Sequence, residues 1–127
     1  MHSTMQDFPL TVTTILRHAI GVNGDRTVTT AVGDGRYRTI TYRELGEQVG
    51  RLANGLCGLG ITGDQRVATF MWNNAEHLAV YLAAPSMGAV LHTLNIRLSA
   101  EQIAFIANEA EDSVIVADLS LTAQLAP

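Results

Sequence analysis

The chain has 127 residues, of which 47% are hydrophobic and 16% are charged, and its formal net charge is −4. These values are typical of a single soluble globular domain with its own core. A negative net charge without a basic cluster argues against nucleic acid as a partner. All eight basic residues are arginine, so this chain offers no lysine for a Schiff base or a phosphate loop.

The sequence shows no signal for export or for membrane insertion. Its N-terminus lacks the basic start and apolar core of a secretory signal. The longest apolar region, residues 78–91, is shorter than the ~20 residues that a membrane-spanning helix needs. We therefore expect a cytoplasmic protein without a transmembrane segment, with peripheral membrane contact as an alternative. The single cysteine, Cys57, cannot form an internal disulfide, and we interpret it as a small buried apolar side chain.

The first part of the chain is predicted to form a helix and then a β-hairpin. Residues 11–20 have helical periodicity, which Gly21 ends. Residues 27–32 and 37–40 read as strands joined by a turn at Asp34-Gly35. The apolar face of the helix is predicted to comprise Val12, Ile15, Leu16, Ala19 and Ile20.

A longer helix is predicted to begin at a capping box of Thr41 and Glu44 and to end at Gly58 and Gly60. Its apolar stripe comprises Leu45, Val49, Leu52, Ala53, Leu56 and Leu59. Residues 58–63 match G-x-G-x-x-G, but they follow a helix and precede a strand, which is the reverse of a dinucleotide site. We interpret these glycines as a helix stop and a turn.

The centre of the chain, residues 63–98, is predicted to be a βαβ unit. Strands at 66–71 and 89–94, the second of which is predicted to be buried, flank a helix capped by Asn73 or Asn74. Pro85 should kink or end this helix near Ala84. The larger residues on one face of the helix are Leu78, Tyr81, Leu82 and Pro85. Two apolar strands with a crossover helix imply a parallel sheet that is covered on both faces.

The last part is predicted to add a helix, a strand and the start of a further helix. Ser99 and Gln102 form a second capping box before the apolar face at Ile103, Ile106, Ala107 and Ala110. A strand follows at 114–117, and residues 119–125 begin another helix. The whole pattern predicts an α/β fold over residues 1–127, with a partial, largely parallel sheet, flanking helices and an N-terminal β-hairpin.

Three residues are candidates for lining a site. Asn95 and Arg97 follow the end of a strand, where α/β proteins often bind ligands, and the arginine could meet a phosphate or carboxylate. An ordinary salt bridge is the alternative for Arg97. His92, between Leu91 and Leu94, is either a hydrogen-bonded histidine near the core or a residue that lines the same site. We assign no catalytic, cofactor-binding or metal-binding residue.

Other chemistry-bearing residues have simpler interpretations. Residues 84–88 approach the hydrolase pattern G-x-S-x-G, but a helix precedes Ser86 where that pattern needs a strand. His18 and His77 lack metal-ligand spacing and are predicted to lie on helix surfaces. The acidic cluster is predicted to be a solvated helix end, and its members are Glu109, Glu111 and Asp112.

An ordered series of segments carries a family resemblance. GDQRVA, NNAEHL and the run GAVLHTLNIRLSAEQIAFIANEAED resemble the N-terminal part of acyl-CoA synthetases, the fatty-acid ligases of the acyl-adenylate-forming superfamily. MQDFPLTVTTILRHA, TYRELGEQVGRLANGLCGLGI and SVIVADLSL are similar to the opening segment, first long helix and next strand of that family. The segment LHTLNIRL resembles the medium- and long-chain fatty-acid ligases more than it resembles the acetate or amino-acid branches of the superfamily.

The resemblance implies a parent enzyme that uses ATP and magnesium to convert a fatty acid to an acyl-adenylate and then transfers the acyl group to coenzyme A. In the family, this reaction is carried out by a phosphate loop that contains lysine, an acidic residue that binds the ribose, and a lysine of a mobile C-terminal domain. None is found in these residues, so we expect an incomplete N-terminal domain that is inactive alone.

Two further expectations follow. An incomplete sheet should leave an apolar face and a free edge, which predicts self-association, as a homodimer or larger, or marginal stability. Family members are often dimers.

Two other functions are alternatives to the ligase fragment. One is a stand-alone α/β binding or interaction domain without catalysis, and the other is a compact hydrolase that uses Ser86.

Overall fold

A computed structural model describes residues 4–5 and 7–125. Over these residues the chain forms four α-helices, five strands and one 3-10 helix. In chain order they are α1 Val12–Asn23, β1 Thr27–Gly33, β2 Arg36–Thr41, α2 Tyr42–Gly58, β3 Arg66–Phe70, α3 Ala75–Ser86, β4 Val90–Thr93, α4 Ala100–Glu109, β5 Asp112–Ala117 and the 3-10 helix Leu119–Gln124.

The strands form two separate sheets. β1 and β2 are an antiparallel hairpin, with Asp34 and Gly35 both at positive φ in the turn, as predicted. β3, β4 and β5 form a parallel sheet in the order β4-β3-β5. The chain therefore moves from β3 to one neighbour and then crosses to the other side, which places β3 in the centre. The predicted α/β class with a parallel sheet and an N-terminal hairpin is confirmed.

Both faces of the parallel sheet are covered, as predicted from the apolar strands. Alternate β3 residues point to opposite faces. Val67 packs with Leu56 of α2 and Val80 of α3 on one face. Phe70 packs with Ile103 of α4 on the other face. The side chain of Phe70 is fully buried, so the central strand supplies the core on both sides.

The N-terminal helices differ from the prediction in three side chains. Ile15 was expected on the apolar face of α1 but is 66% exposed. Leu59 lies beyond the last turn of α2, at the C-cap, and is exposed as well. Cys57 is exposed rather than buried, because the buried face of α2 is formed by Leu45, Val49 and Leu56. Helix α1 also continues past Gly21 to Asn23.

Helix α3 buries small residues instead of its large ones. Its buried positions are Ala75, Ala79, Val80, Ala83 and Ala84. Leu78 and Tyr81 are 36% and 44% exposed, since the alanine face lets the helix approach α2 and the sheet closely. Asn74 is the N-cap, and Pro85 lies in the last turn, so the helix ends at Ser86.

The C-terminal elements correct two further predictions. β4 was expected to be a buried strand, but it lies at a sheet edge and its Val90 is 45% exposed. Asp112 is not part of a solvated helix end, because it begins β5. The segment that follows β5 is a 3-10 helix. Across the described residues, no helix has both the length and the apolarity that a bilayer span requires.

Candidate functional site

A polar cluster joins the carboxyl ends of β3 and β5. The carboxylate of Asp118, which directly follows β5, accepts a hydrogen bond from the backbone N–H of Trp72 at 2.7 Å. The same carboxylate accepts from the side-chain amide of Asn74 at 3.2 and 3.3 Å. The indole N–H of Trp72 donates to Ser120 at 3.1 Å. These contacts hold the two strand ends and the start of α3 together, at the edge where parallel sheets bind ligands.

His77 belongs to this cluster, although the sequence predicted a surface position. One ring nitrogen, Nδ1, lies 3.1 Å from the carbonyl oxygen of Trp72, which makes it the donor. Nε2 lies 2.9 Å from the hydroxyl of Thr69, which is fully buried in β3. Both ring nitrogens are therefore engaged, and the histidine fastens the first turn of α3 to the central strand.

The hairpin closes one side of a hollow beside the cluster. The hydroxyl of Thr30 in β1 accepts a hydrogen bond from the N–H of Ala75 at 3.0 Å. The hollow has a volume of about 290 Å³ and opens to solvent. It is lined by Val28, Thr29, Thr30, Asn73, Asn74, His77, Leu78 and Tyr81. Its lining combines apolar side chains with hydroxyl, amide and imidazole groups.

An ion pair also links the hairpin to α3. Arg38 of β2 contacts the carboxylate of Glu76 in the first turn of α3. The hydrogen bond from Arg38 lowers the pKa of Glu76 below its ordinary value of 4.5, against a smaller opposing effect of burial. Glu76 therefore stays ionised at neutral pH, where it also complements the helix dipole.

His92, a predicted site residue, makes an internal pair on the sheet. Its Nδ1 lies 2.9 Å from both carboxylate oxygens of Asp112. The Asp112 side chain is 1% exposed and that of His92 is 27% exposed. The pair connects the two outer strands across β3. This is the hydrogen-bonded histidine that the sequence allowed, and its part in a ligand site stays a prediction.

Asn95 and Arg97, the other predicted site residues, lie in the turn after β4. The side-chain oxygen of Asn95 accepts from the backbone N–H of Arg97 at 3.0 Å, which forms an Asx turn. Both residues are exposed. Arg97 makes no ion pair with any residue that the structure describes. No hydrogen bond joins His92 to this turn, and whether Asn95 and Arg97 bind a phosphate or carboxylate stays a prediction.

Ser86 gives no support to the hydrolase alternative. Its Oγ is buried and has no hydrogen-bond partner among the described residues. A serine nucleophile needs a general base within hydrogen-bond reach. Within residues 4–5 and 7–125, no group of three metal-ligating side chains comes together either. The carboxyl ends of β3 and β5 instead carry a set of polar side chains that are held in place by contacts with one another.

Sequence reasoning found the Asn74 cap but missed the roles of Asp118 and His77. The signal for Asp118 was its place directly after an apolar strand. That signal becomes useful only when β5 is known to lie beside β3.

Comparisons with known proteins agree with this fold. The family described as AMP-binding enzyme matches residues 16–127. A long-chain-fatty-acid–CoA ligase of Thermus thermophilus is 42% identical over 119 residues, which cover 94% of this chain and 22% of that protein. A medium-chain-fatty-acid–CoA ligase of Ectopseudomonas oleovorans is 37% identical over 109 residues, covering 86% of this chain and 20% of that protein. The chain thus spans about a fifth of the length of these curated relatives.

The solved structures support the same assignment. The inhibitor-bound N-terminal domain of FACL13 from Mycobacterium tuberculosis superposes with a TM-score of 0.79 at 26% identity. The match covers 91% of this chain and 28% of that one. Together with the family match over most of the sequence, this shows that the chain belongs to the AMP-binding enzyme family and has the fold of the N-terminal region of its acyl-CoA synthetases.

Proposed function

We propose that this chain is part of a fatty-acid–CoA ligase that activates its substrate with ATP and magnesium and then transfers the acyl group to coenzyme A. The observation that carries the proposal is the 42% identity to a long-chain-fatty-acid–CoA ligase along 94% of the chain. Identity to a medium-chain ligase over 86% of the chain supports a fatty acid as the substrate class. The same proposal places the enzyme in the cytoplasm.

The 127 residues alone are proposed to be inactive and to serve as a scaffold. They contain no lysine, whereas the resemblance implies one lysine at the phosphate loop and another on a mobile domain. The polar groups at the strand ends are largely engaged with one another, as the contacts of Asp118 and His77 show. Their contribution is to hold the carboxyl ends of β3 and β5 in place for the parent enzyme.

The isolated chain is also proposed to self-associate. Large apolar side chains remain exposed on several elements, including Phe105 at 69% on α4 and Leu119 at 88% on the 3-10 helix. Parallel sheets are normally covered on both faces and at their edges. Contact between copies would remove part of this apolar surface from water.

The test has two arms. The purified 127-residue chain is incubated with ATP, magnesium, coenzyme A and a fatty acid, and pyrophosphate release is measured. We expect no release above buffer and no rise in melting temperature with ATP. Release that depends on the fatty acid would contradict the proposed inactivity.

The second arm examines the coding sequence downstream of codon 127 and the longer product, if one is encoded. We expect a glycine-rich loop containing lysine, and acyl-CoA formation from medium- and long-chain fatty acids rather than acetate. A stop codon together with a stable monomer would instead favour a stand-alone binding domain. A longer product that prefers acetate would overturn the substrate class but not the family.

A further inference from the structure

Two neighbouring strands of the parallel sheet end in segments that turn to opposite faces. β3 and β5 run parallel and are hydrogen-bonded to each other, so their carboxyl ends lie side by side. After β3 the chain enters α3, whose Val80 packs with Val67 on one face of the sheet. After β5 it enters the 3-10 helix, whose Leu121 packs with Phe70 on the other face. Diverging connections of this kind open a crevice between two strands, and open α/β sheets bind their ligands there.

Asp118 joins the two sides of this crevice. Its carboxylate accepts hydrogen bonds from the backbone N–H of Trp72 at 2.7 Å and from the side-chain amide of Asn74 at 3.2 and 3.3 Å. Two residues further along, the hydroxyl of Ser120 accepts from the indole N–H of Trp72. All of these contacts lie between the loops that follow the strands, so they do not depend on an edge of the sheet.

Position 118 requires a group that only accepts hydrogen bonds. The side-chain oxygen of Asn74, the N-cap of α3, accepts from the backbone N–H of His77 at 2.8 Å. The amide nitrogen of Asn74 is therefore the end that faces Asp118, and it can only donate. The backbone N–H of Trp72 is a second donor. A carboxylate satisfies both, whereas an asparagine at position 118 would place its own NH₂ group against one of them.

The other side of the same turn is attached to the central strand. Nδ1 of His77 lies 3.1 Å from the carbonyl oxygen of Trp72, and Nε2 lies 2.9 Å from the hydroxyl of Thr69. The links from the β5 side come from Asp118 and Ser120, and of these two only Asp118 contacts the backbone of the turn. Loss of its carboxylate would therefore let the turn move relative to β5.

We propose that Asp118 is a positioning residue of the parent ligase. By holding Trp72 and Asn74, it fixes one wall of the crevice along which the acyl chain of the fatty acid binds. This inference rests on the proposed function, because the acyl chain belongs to the substrate of that ligase. Asp118 acts through the turn and does not touch the reacting atoms.

The chemistry of the wall favours an acyl chain over the phosphate groups of ATP or coenzyme A. The indole of Trp72 offers apolar surface that suits a hydrocarbon. No salt bridge reaches Asp118 from any residue that the structure describes. A phosphate in the crevice would therefore meet a negative charge that no cation offsets.

Fluorescence of the 127-residue chain tests the positioning step, because Trp72 is its single tryptophan. Asp118→Ala should increase the quenching of Trp72 by acrylamide, and Asp118→Asn should do so to a smaller extent, with unchanged circular dichroism spectra. Asp112→Asn is the matched control, since Asp112 is the first residue of the same strand, and it should leave quenching unchanged. Equal quenching in the unmodified chain and both Asp118 variants would overturn the proposal.

Kinetics of the longer ligase product test the effect on the substrate. Asp118→Asn should raise KM for a long-chain fatty acid about tenfold, because a loosened wall lowers the fraction of molecules that are competent to bind. kcat and KM for ATP should change by less than about twofold, since no contact with the reacting atoms is lost. Asp118→Glu keeps the carboxylate and should recover part of the fatty-acid KM. Asp112→Asn should lower stability without changing KM.

The outcomes separate this inference from the proposed function. A longer product without acyl-CoA synthesis would overturn the proposed function, and the inference would fall with it. An active product whose KM for the fatty acid is unchanged by Asp118→Asn would overturn the inference alone. The same holds for a change in KM for ATP only. Equal effects of Asp118→Asn and Asp112→Asn would also overturn it, because a merely structural role predicts that result.

Discussion

Replacing His92 with alanine removes the described hydrogen-bond partner of a buried carboxylate. The imidazole Nδ1 lies 2.9 Å from both oxygens of Asp112. The aspartate side chain is almost completely buried, whereas His92 is 27% exposed. In the variant the carboxylate keeps its desolvation cost but loses its compensating contact. We therefore expect this change to destabilise the fold strongly.

The size of the effect follows from the burial of the pair. Leaving a buried polar group without its hydrogen-bond partner costs about 1–3 kcal/mol, and more when the group is charged. Because His92 is partly exposed, water can reach the carboxylate in the variant, and we expect about 3 kcal/mol, the upper end of that range. With an m-value of about 2 kcal/mol/M, the urea midpoint should fall by about 1.5 M.

Urea titration followed by circular dichroism at neutral pH, at one protein concentration, measures this change. His18→Ala on the exposed side of α1 is the control, and its effect should stay within about 0.5 kcal/mol. His92→Asn keeps a donor near the position of Nδ1 and should recover part of the loss. A loss below about 1 kcal/mol for His92→Ala would refute the reasoning, because that is the average effect of any substitution.

Two further predictions concern α2. Gly50→Ala has open space around the new Cβ and should raise the free energy of unfolding by about 0.5–1 kcal/mol. Gly46→Ala, one turn earlier, should not raise the free energy of unfolding and should instead leave it unchanged or lower it, because the new Cβ would lie 2.4 Å from Cδ1 of Ile20. Equal melting temperatures for the two variants would contradict this difference. The hydrogen bond from the Thr41 backbone N–H, followed by that from its hydroxyl, lowers the pKa of Glu44 below 4.5. Because the pKa of Glu44 is lower in the folded chain, the unfolded chain binds more protons in acid. The stability that the hydrogen bonds of Glu44 contribute is therefore complete above pH 4.5 and is lost as the pH falls through the lowered pKa. Glu44→Gln should show a weaker loss of stability in acid, and parallel pH profiles for the two proteins would argue against the assignment.

The local elements of the fold were largely predictable because their signals lie within a few residues. The two predicted capping boxes are both present, with Thr41 and Glu44 at the start of α2 and Ser99 and Gln102 at the start of α4. The hairpin turn at Asp34-Gly35 needs positive φ at both positions, which suits this residue pair. A cap or turn depends on backbone groups close in sequence, so its residues reveal it directly.

The buried faces were predicted less well, because exposure depends on what packs against each element. Tyr81 shares a face of α3 with other large residues, yet the alanine face packs inward. Cys57 fits a helical pattern but lies on the exposed side of α2. Periodicity identifies the faces of a helix, and only its neighbours determine which face is covered.

The amino-acid sequence by itself determined the α/β class, the order of the elements, and the main caps and turns. It also determined that no site in these 127 residues can contain a lysine. The tertiary structure decided that β5 lies beside β3 rather than β4. That choice brings Asp112 to His92 and Asp118 to Trp72, across sequence separations of 20 and 46 residues. Capping and periodicity act over a few residues, whereas the order of strands is set by the packing of helices on both faces of the sheet, and that packing is a property of the whole chain.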